Sequence, residues 1–202
     1  MKVRNNSGRT FPAGKLQGPR SSDLGPGASP SLQPPAASAT PPSRWVFAVT
    51  VAVTFALNWG LDQWTKGLAV SLLQGLDSLS FLANTVVLQF SVNTGAFLSL
   101  GRDWPEPVKM AVLLAVPLLV CAAALVWAVT REKSLLRAVL IVTIAAGGFG
   151  NLGDRLFHHF QVVDFLNFGI GPLRTGILNV ADLSVTFGAV AYLFTGTKKV
   201  PR

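Results

Sequence analysis

Two aspartates, Asp164 and Asp182, are the side chains with the most chemistry to offer. Asp164 is the single acid in an apolar pentapeptide, Val162, Val163, Asp164, Phe165, Leu166, and Asp182 closes the run Asn179, Val180, Ala181, Asp182. Neither has a basic neighbour in sequence. Two carboxyl groups brought together at low dielectric do not both ionise easily, so such a pair shares a proton at neutral pH. The carboxylate then activates water while the carboxylic acid protonates a leaving group, as in a two-aspartate hydrolytic site. Asn179, Asp182 and Thr186 fall on one face by helical spacing.

Three further clusters carry polar residues in apolar surroundings. In Asp62, Gln63, Trp64, Thr65, Lys66 the acid and the base are spaced i,i+4. They are expected to pair on one helix face, snorkelling at an interface anchored by Trp59 and Trp64. The run Asn93, Thr94, Gly95, Ala96, Phe97 offers a donor and acceptor beside a flexible glycine. The run 147–155, GGFGNLGDR, puts Ala146, Gly150 and Gly153 on a small-residue packing face and Gly147, Asn151 and Asp154 on another. Asp154 and Arg155 are adjacent and cannot face each other on one helix, so each is expected to find another partner or the headgroup layer. The formal G-x-G-x-x-G at Gly148, Gly150 and Gly153 has no βαβ context, which excludes a dinucleotide loop.

Other chemistries are weaker. His158 and His159 are adjacent, poorly placed to chelate one metal from a helix, and are read as interfacial; no metal or cofactor is expected. Lys66 has Asp62 as a better partner than any serine. Cys121 is the one cysteine, which excludes an intrachain disulfide framework; in mid-helix it is expected to be buried and inert.

The elements that must position these groups read as membrane helices. The chain has 202 residues, half hydrophobic and only 13% charged, with a mean hydropathy of +0.47. Residues 1–44, rich in Pro, Ser and Gly, read as a disordered cytoplasmic tail. They contain no apolar core of a secretory signal peptide. Residues 45–197 form the membrane domain, and 198–202 a basic cytoplasmic C-terminus. The apolar runs 45–61, 108–130, 135–153 and 177–196 predict four transmembrane helices, the first rather short. Residues 85–92, with their β-branched and aromatic side chains, predict a small extracytoplasmic β-element. The second outward segment, 156–176, holds a Gly-Pro turn.

Charge sets the expected orientation. Both termini and the 131–137 loop carry twelve of the seventeen Lys and Arg residues, against Asp23 and Glu132 alone among the acids. By the positive-inside rule these segments are cytoplasmic, and the aspartates face outward. The net charge of +8 is then mostly topology, and no stacking or basic-groove pattern points to nucleic acid.

Taken in order, DQWTK, NTGAF, GGFGNLGDR, VVDF and NVAD resemble the motifs of the signal peptidase II family over about residues 45–196. The resemblance implies four transmembrane helices with a β-cradle and a short arm on the outer side. It implies an aspartyl endopeptidase of the bacterial inner membrane, cutting prolipoproteins just before a diacylglyceryl-modified cysteine and inhibited by globomycin-type peptides. Asp164 and Asp182 match the catalytic dyad. Asn93, Asn151, Arg155 and Asn179 match polar residues that line and support the site, and Asp62 and Lys66 match a more structural pair. Gly147, Gly148 and Asp154 match the remaining motif positions on the third helix. The chain departs from the family pattern in having one alanine fewer before Phe97 and Leu178 where a phenylalanine is usual. A proton-coupled carrier and a structural scaffold are the competing readings. Carriers place ionisable groups near the midplane with repeat symmetry; here the groups cluster at one end and no internal repeat is seen.

Overall fold

The computed structural model describes residues 3–4, 10–11, 43–96 and 100–196. The chain divides into two units, Met1–Thr40 and Pro41–Arg202. In the first, Val3–Arg4 and Thr10–Phe11 pair as a short antiparallel ladder. Most of the expected 1–44 tail and the whole of the 198–202 terminus lie outside the described residues.

Helix α1, Arg44–Leu73, runs for 30 residues. It starts where Ser43 accepts a hydrogen bond from the Val46 N–H at 3.3 Å. The expectation of a short first helix is therefore corrected. Asp62 and Lys66 do not terminate a span; the helix continues two turns past them, because Gly67, Leu68, Ala69 and Val70 carry the apolar pattern onward. Helix α2, Glu106–Thr130, includes a π-helical stretch at Met110–Ala115, just ahead of Pro117, which has no N–H to donate. Helix α3, Leu135–Phe157, is capped by Ser134 on the Arg137 N–H at 3.4 Å. Helix α4, Val180–Phe194, has only 15 residues.

Three of these helices, α1, α2 and α3, are long and apolar enough to cross a membrane. At 1.5 Å per residue, α4 rises roughly 22 Å, short of a hydrocarbon core of about 30 Å. Of the four expected spans, three reach that length as helices, and the fourth is a shorter apolar helix. The shortfall has a local cause. Leu178 is not helical but pairs with strand residue Leu166, its N–H donating to the Leu166 carbonyl at 2.7 Å, so α4 starts at Val180 rather than near 177.

Four strands form one antiparallel sheet: β1 (Leu79–Phe81), β2 (Val86–Asn93), β3 (Val162–Ile170) and β4 (Leu173–Arg174), in that order. The β2 strand matches the expected β-element. Strand β3 does not appear in the sequence reading; its apolar run is continuous where it enters the structure rather than alternating, and periodicity alone does not distinguish such a run from buried helix. Between Leu88 and Ser91 the register of β2 against β3 slips, since Leu88 pairs with Leu166 but Ser91 pairs with Asp164. Two residues of β2, Gln89 and Phe90, thus oppose one of β3, Phe165, a β-bulge. The Gly-Pro turn closes the β3–β4 hairpin, with Gly171 at φ +56°.

Helix α3 is the centre of the bundle. Ala138, Val142 and Ala146 on it are wholly buried. Val51 of α1 and Ala128 of α2 pack on its first half. Outward-facing apolar side chains stay exposed, among them Leu57, Leu119, Val120 and Leu193, as a lipid-facing surface requires. Of the expected small-residue face, Ala146 and Gly150 are buried, but a Cβ on Gly153 would meet nothing within 4 Å. Gly153 is therefore no packing contact. Gly147 is one instead: a Cβ there would lie 2.6 Å from the Ala181 carbonyl oxygen of α4.

Because that obstacle is backbone, it cannot swing aside. Gly147→Ala is expected to destabilise the protein by about 1–3 kcal/mol, whereas Gly153→Ala should be neutral or slightly stabilising. Thermal unfolding in detergent, followed for both variants, checks the contrast.

Candidate active site

The polar side chains singled out by type converge on a single hydrogen-bonded cluster. Its base is Lys66, 4% exposed. The ammonium group reaches Asp62 Oδ2 at 2.7 Å, Asp154 Oδ2 at 2.6 Å and Asn151 Oδ1 at 2.9 Å. Two ion pairs and one hydrogen bond thus bring acceptors from α1 and α3 onto one ammonium. The i,i+4 pair of the sequence reading forms, but it does not snorkel: Asp62 is fully buried, and the group it serves is tertiary. Gly150 makes room for it, since a Cβ there would lie 2.6 Å from Asp62 Oδ2. Gln63, not singled out beforehand, joins Asp62 Oδ2 at 3.2 Å to Asp154 Oδ1 at 3.1 Å. Its signal was only its place beside Asp62.

Asp62 also receives α4. Its Oδ1 accepts the Ala181 N–H at 2.8 Å, one of the donors left unpaired in the first turn of a helix. Asn179 is the N-cap: its Oδ1 accepts the Asp182 N–H at 2.9 Å, while Asp182 Oδ2 accepts the Asn179 N–H at 3.1 Å. This reciprocal capping box fixes the Asp182 carboxylate at the helix start. Asp182 is thus in the first turn of α4, with Asn179 just ahead of it. The other oxygen, Oδ1, accepts from Asn151 Nδ2 at 2.9 Å.

Asp164 arrives from β3. Its Oδ1 accepts from Asn179 Nδ2 at 2.7 Å and its Oδ2 from Asn93 Nδ2 at 3.0 Å. Asn179 Nδ2 also donates to Asn151 Oδ1 at 3.0 Å. One buried asparagine therefore touches both aspartates, through its amide on Asp164 and its backbone on Asp182. The amide orientations are fixed by the network: Asn151 Oδ1 faces the Lys66 ammonium, so its Nδ2 must face Asp182. Asn93 is oriented in turn by the Gly95 N–H on its Oδ1 at 3.0 Å.

The Asp164 carboxyl is pushed up to about 6. Burial is the main cause, and the nearby Asp182 charge adds to it. The hydrogen bonds from Asn93 and Asn179 and the positive charge of Lys66 pull the other way without cancelling the shift.

Arg155 donates to the Gly95 carbonyl at 2.9 Å and to the Asn151 carbonyl at 3.2 Å. It ties the loop after β2 to α3, beside the two aspartates. Adjacent Asp154 and Arg155 thus find separate partners, as expected. Of the positions expected from the sequence, Asp62, Lys66, Asn93, Asn151, Asp154, Arg155, Asp164, Asn179 and Asp182 form the cluster, and Gly147 lets α4 approach it. Gly148 stands apart, where a Cβ would collide with Cys121 of α2. Cys121 is buried there, as expected of it. His158 and His159 are exposed at the end of α3 and do not join the cluster. Phe97 lies outside the described residues.

Two solved structures similar to this fold are described as bacterial membrane enzymes. One, determined by the in meso method at 1.9 Å, superposes with a TM-score of 0.65 over 76% of this chain and 96% of its own, at 22% identity. The chain belongs to the signal peptidase II family, whose model, "Signal peptidase (SPase) II", matches residues 54–197; it is a peptidase. Among similar proteins is the lipoprotein signal peptidase of Borrelia duttonii (strain Ly), 34% identical over 137 residues, 65% of this chain and 80% of that protein. That of Treponema denticola is 38% identical over 128 residues, 60% and 73% of the two chains. That of Leifsonia xyli subsp. xyli is 32% identical over 177 residues, 83% and 78%.

Removing the Lys66 charge would leave two buried carboxylates, Asp62 and Asp154, without their cation. Lys66→Met is expected to cost about 3–5 kcal/mol of stability, seen as a large fall in melting temperature. The same loss should shrink in Lys66→Met/Asp62→Asn/Asp154→Asn, where no unpaired charge is left buried.

Proposed function

We propose that the chain is an aspartyl endopeptidase that removes signal peptides from diacylglyceryl-modified prolipoproteins, cutting just before the lipidated cysteine. The observation that carries the mechanism is the bridging of Asp164 and Asp182 by one buried asparagine, Asn179, with every oxygen of both carboxyls already oriented by a neutral donor. The substrate class comes from the family and from the similarity to lipoprotein signal peptidases.

In this reading a water molecule lies between the two aspartates and the scissile carbonyl. The ionised carboxylate takes a proton from the water as its oxygen bonds to the carbonyl carbon. The protonated carboxyl then delivers its proton to the amide nitrogen as the C–N bond breaks. The elevated Asp164 makes it the natural holder of the shared proton. Asn93, Asn151 and Asn179 keep the carboxyl rotamers fixed, so little reorganisation is needed at reaction. Arg155 positions the 93–96 loop across the site. No step uses a metal.

The membrane placement belongs to the same reading. All four helices traverse the bacterial inner membrane, the short α4 entering with its N-terminus at the outer boundary. Both termini are cytoplasmic, and the sheet forms a cradle on the outer side. Signal peptide and acyl chains approach laterally along the exposed helix faces, so the bilayer itself pre-orients the substrate. Globomycin-type peptides compete at this site.

The test is release of the signal peptide from a diacylglyceryl-modified prolipoprotein by the purified chain in lipid. Asp164→Asn and Asp182→Asn should each lower cleavage by about a hundredfold or more while remaining folded. A fully active Asp182→Asn would reject the dyad. A well-folded wild-type chain inert on several such substrates would reject the peptidase assignment to lipoproteins.

A pH profile gives a second check. Loss of the shared proton removes the acid, so kcat/KM should fall as pH rises, with an alkaline limb near the value of about 6 held by Asp164. The Asn93 hydrogen bond favours the charged form of Asp164. Asn93→Ala should therefore move that limb to higher pH, besides lowering the rate.

A further inference from the structure

At the opposite end of the bundle from the aspartates lies a second feature that the peptidase site does not use. Helices α1 and α2 both pack on α3, and a groove is left between them. Val51, Ala52 and Phe55 of α1 face Leu125 and Val129 of α2 across an apolar cleft of about 340 Å³. Val129 also lines a wider cleft of about 550 Å³ at the start of α1, bordered by Phe47, Arg44 and Lys133.

The character of the groove changes along its length. Its inner part is lined by apolar side chains. Its mouth carries two exposed cations, Arg44 and Lys133. One acid also borders it, Glu132, but that carboxylate is already engaged. Its Oε1 accepts the Lys133 and Ser134 N–H groups, both at 3.0 Å, and its Oε2 lies 3.5 Å from Arg137 Nε. Arg137 is held in turn by Tyr192, donating to its hydroxyl at 2.6 Å. The mouth therefore presents positive charge outward and keeps its negative charge turned in.

The dimensions match one molecule type. From Arg44 to Phe55, eleven residues of α1 rise about 16 Å, close to half of a hydrocarbon core of about 30 Å. A groove one leaflet deep, apolar within and cationic at the headgroup level, fits a phospholipid. Two cations with no free acid select an anionic headgroup over a zwitterionic one. We propose that this groove is a binding site for an anionic phospholipid, its phosphate between Arg44 and Lys133 and an acyl chain along Val51, Phe55 and Leu125. The site is separate from the aspartates and does not depend on the peptidase reading. A bound lipid here would fill the gap between α1 and α2 and hold both helices against α3.

The test is lipid retention by the full chain, extracted from nanodiscs of equal phosphatidylglycerol and phosphatidylcholine and read by native mass spectrometry. The wild-type chain should retain phosphatidylglycerol roughly tenfold over phosphatidylcholine. Arg44→Gln/Lys133→Gln should lose that preference while still binding lipid. Ala52→Trp, which fills the apolar part at an exposed position, should lose retention of both lipids. Equal retention of the two lipids by the wild-type chain would overturn the proposal. So would an undiminished phosphatidylglycerol preference in Arg44→Gln/Lys133→Gln, because the selectivity would then belong to the basic surface as a whole. Circular dichroism melting of each variant separates loss of the site from loss of the fold, and a folded Ala52→Trp that retains lipid like the wild type would also reject it.

Discussion

The buried ammonium of Lys66 is the interaction on which the rest of the polar cluster depends. A lysine charge taken out of water costs several kcal/mol unless it is paired and fully hydrogen-bonded. Here Asp62 and Asp154 form ion pairs with it and Asn151 accepts a hydrogen bond from it, each within 2.9 Å. Two of these acceptors come from α3 and one from α1, so satisfying the charge sets the rotation of one helix against the other. Gly150 is required at the crossing because anything larger would push Asp62 away from it.

From that ammonium the order propagates outward. Asn151, with its oxygen held by Lys66, turns its amide N–H toward Asp182. Asp62, with one oxygen on Lys66, offers the other to the Ala181 N–H and so seats the first turn of α4. That turn carries the capping box of Asn179 and Asp182, and the Asn179 amide reaches across to Asp164. Each link consumes a donor or acceptor that would otherwise be buried and unpaired. A network of this kind is rigid when every member is satisfied and costly when one is removed. The two aspartates inherit their positions from groups that need not touch a substrate.

The sheet supplies the second constraint. On a regular strand, Leu88 and Asn93 would point to opposite faces, because the side-chain period is two. The bulge between Leu88 and Ser91 inserts one residue, so that Ser91 and Asn93 take the face that Leu88 holds before it. Asn93 then sits diagonally from Asp164 and donates to it. One irregularity in an eight-residue strand decides whether Asp164 has its second donor.

Much of this was legible in the residues themselves. Apolar length announced the helices, and the isolation of Asp164 and Asp182 among apolar neighbours singled them out as the candidate pair. The i,i+4 spacing joined Asp62 to Lys66, and helical periodicity placed Gly147, Asn151 and Asp154 together. These features are local, governed by the composition and period of a few turns of chain. What the sequence did not disclose depends on contacts between distant segments. Strand β3 exists because β2 offers it a partner, and α4 is short because Leu178 pairs with Leu166 instead of extending the helix. The depth of the Asp62–Lys66 pair followed from α3 and α4 closing over it, which turned an expected interfacial ion pair into a buried one. Spacing along a helix states which side chains share a face; only packing decides whether that face meets water, lipid or another carboxylate.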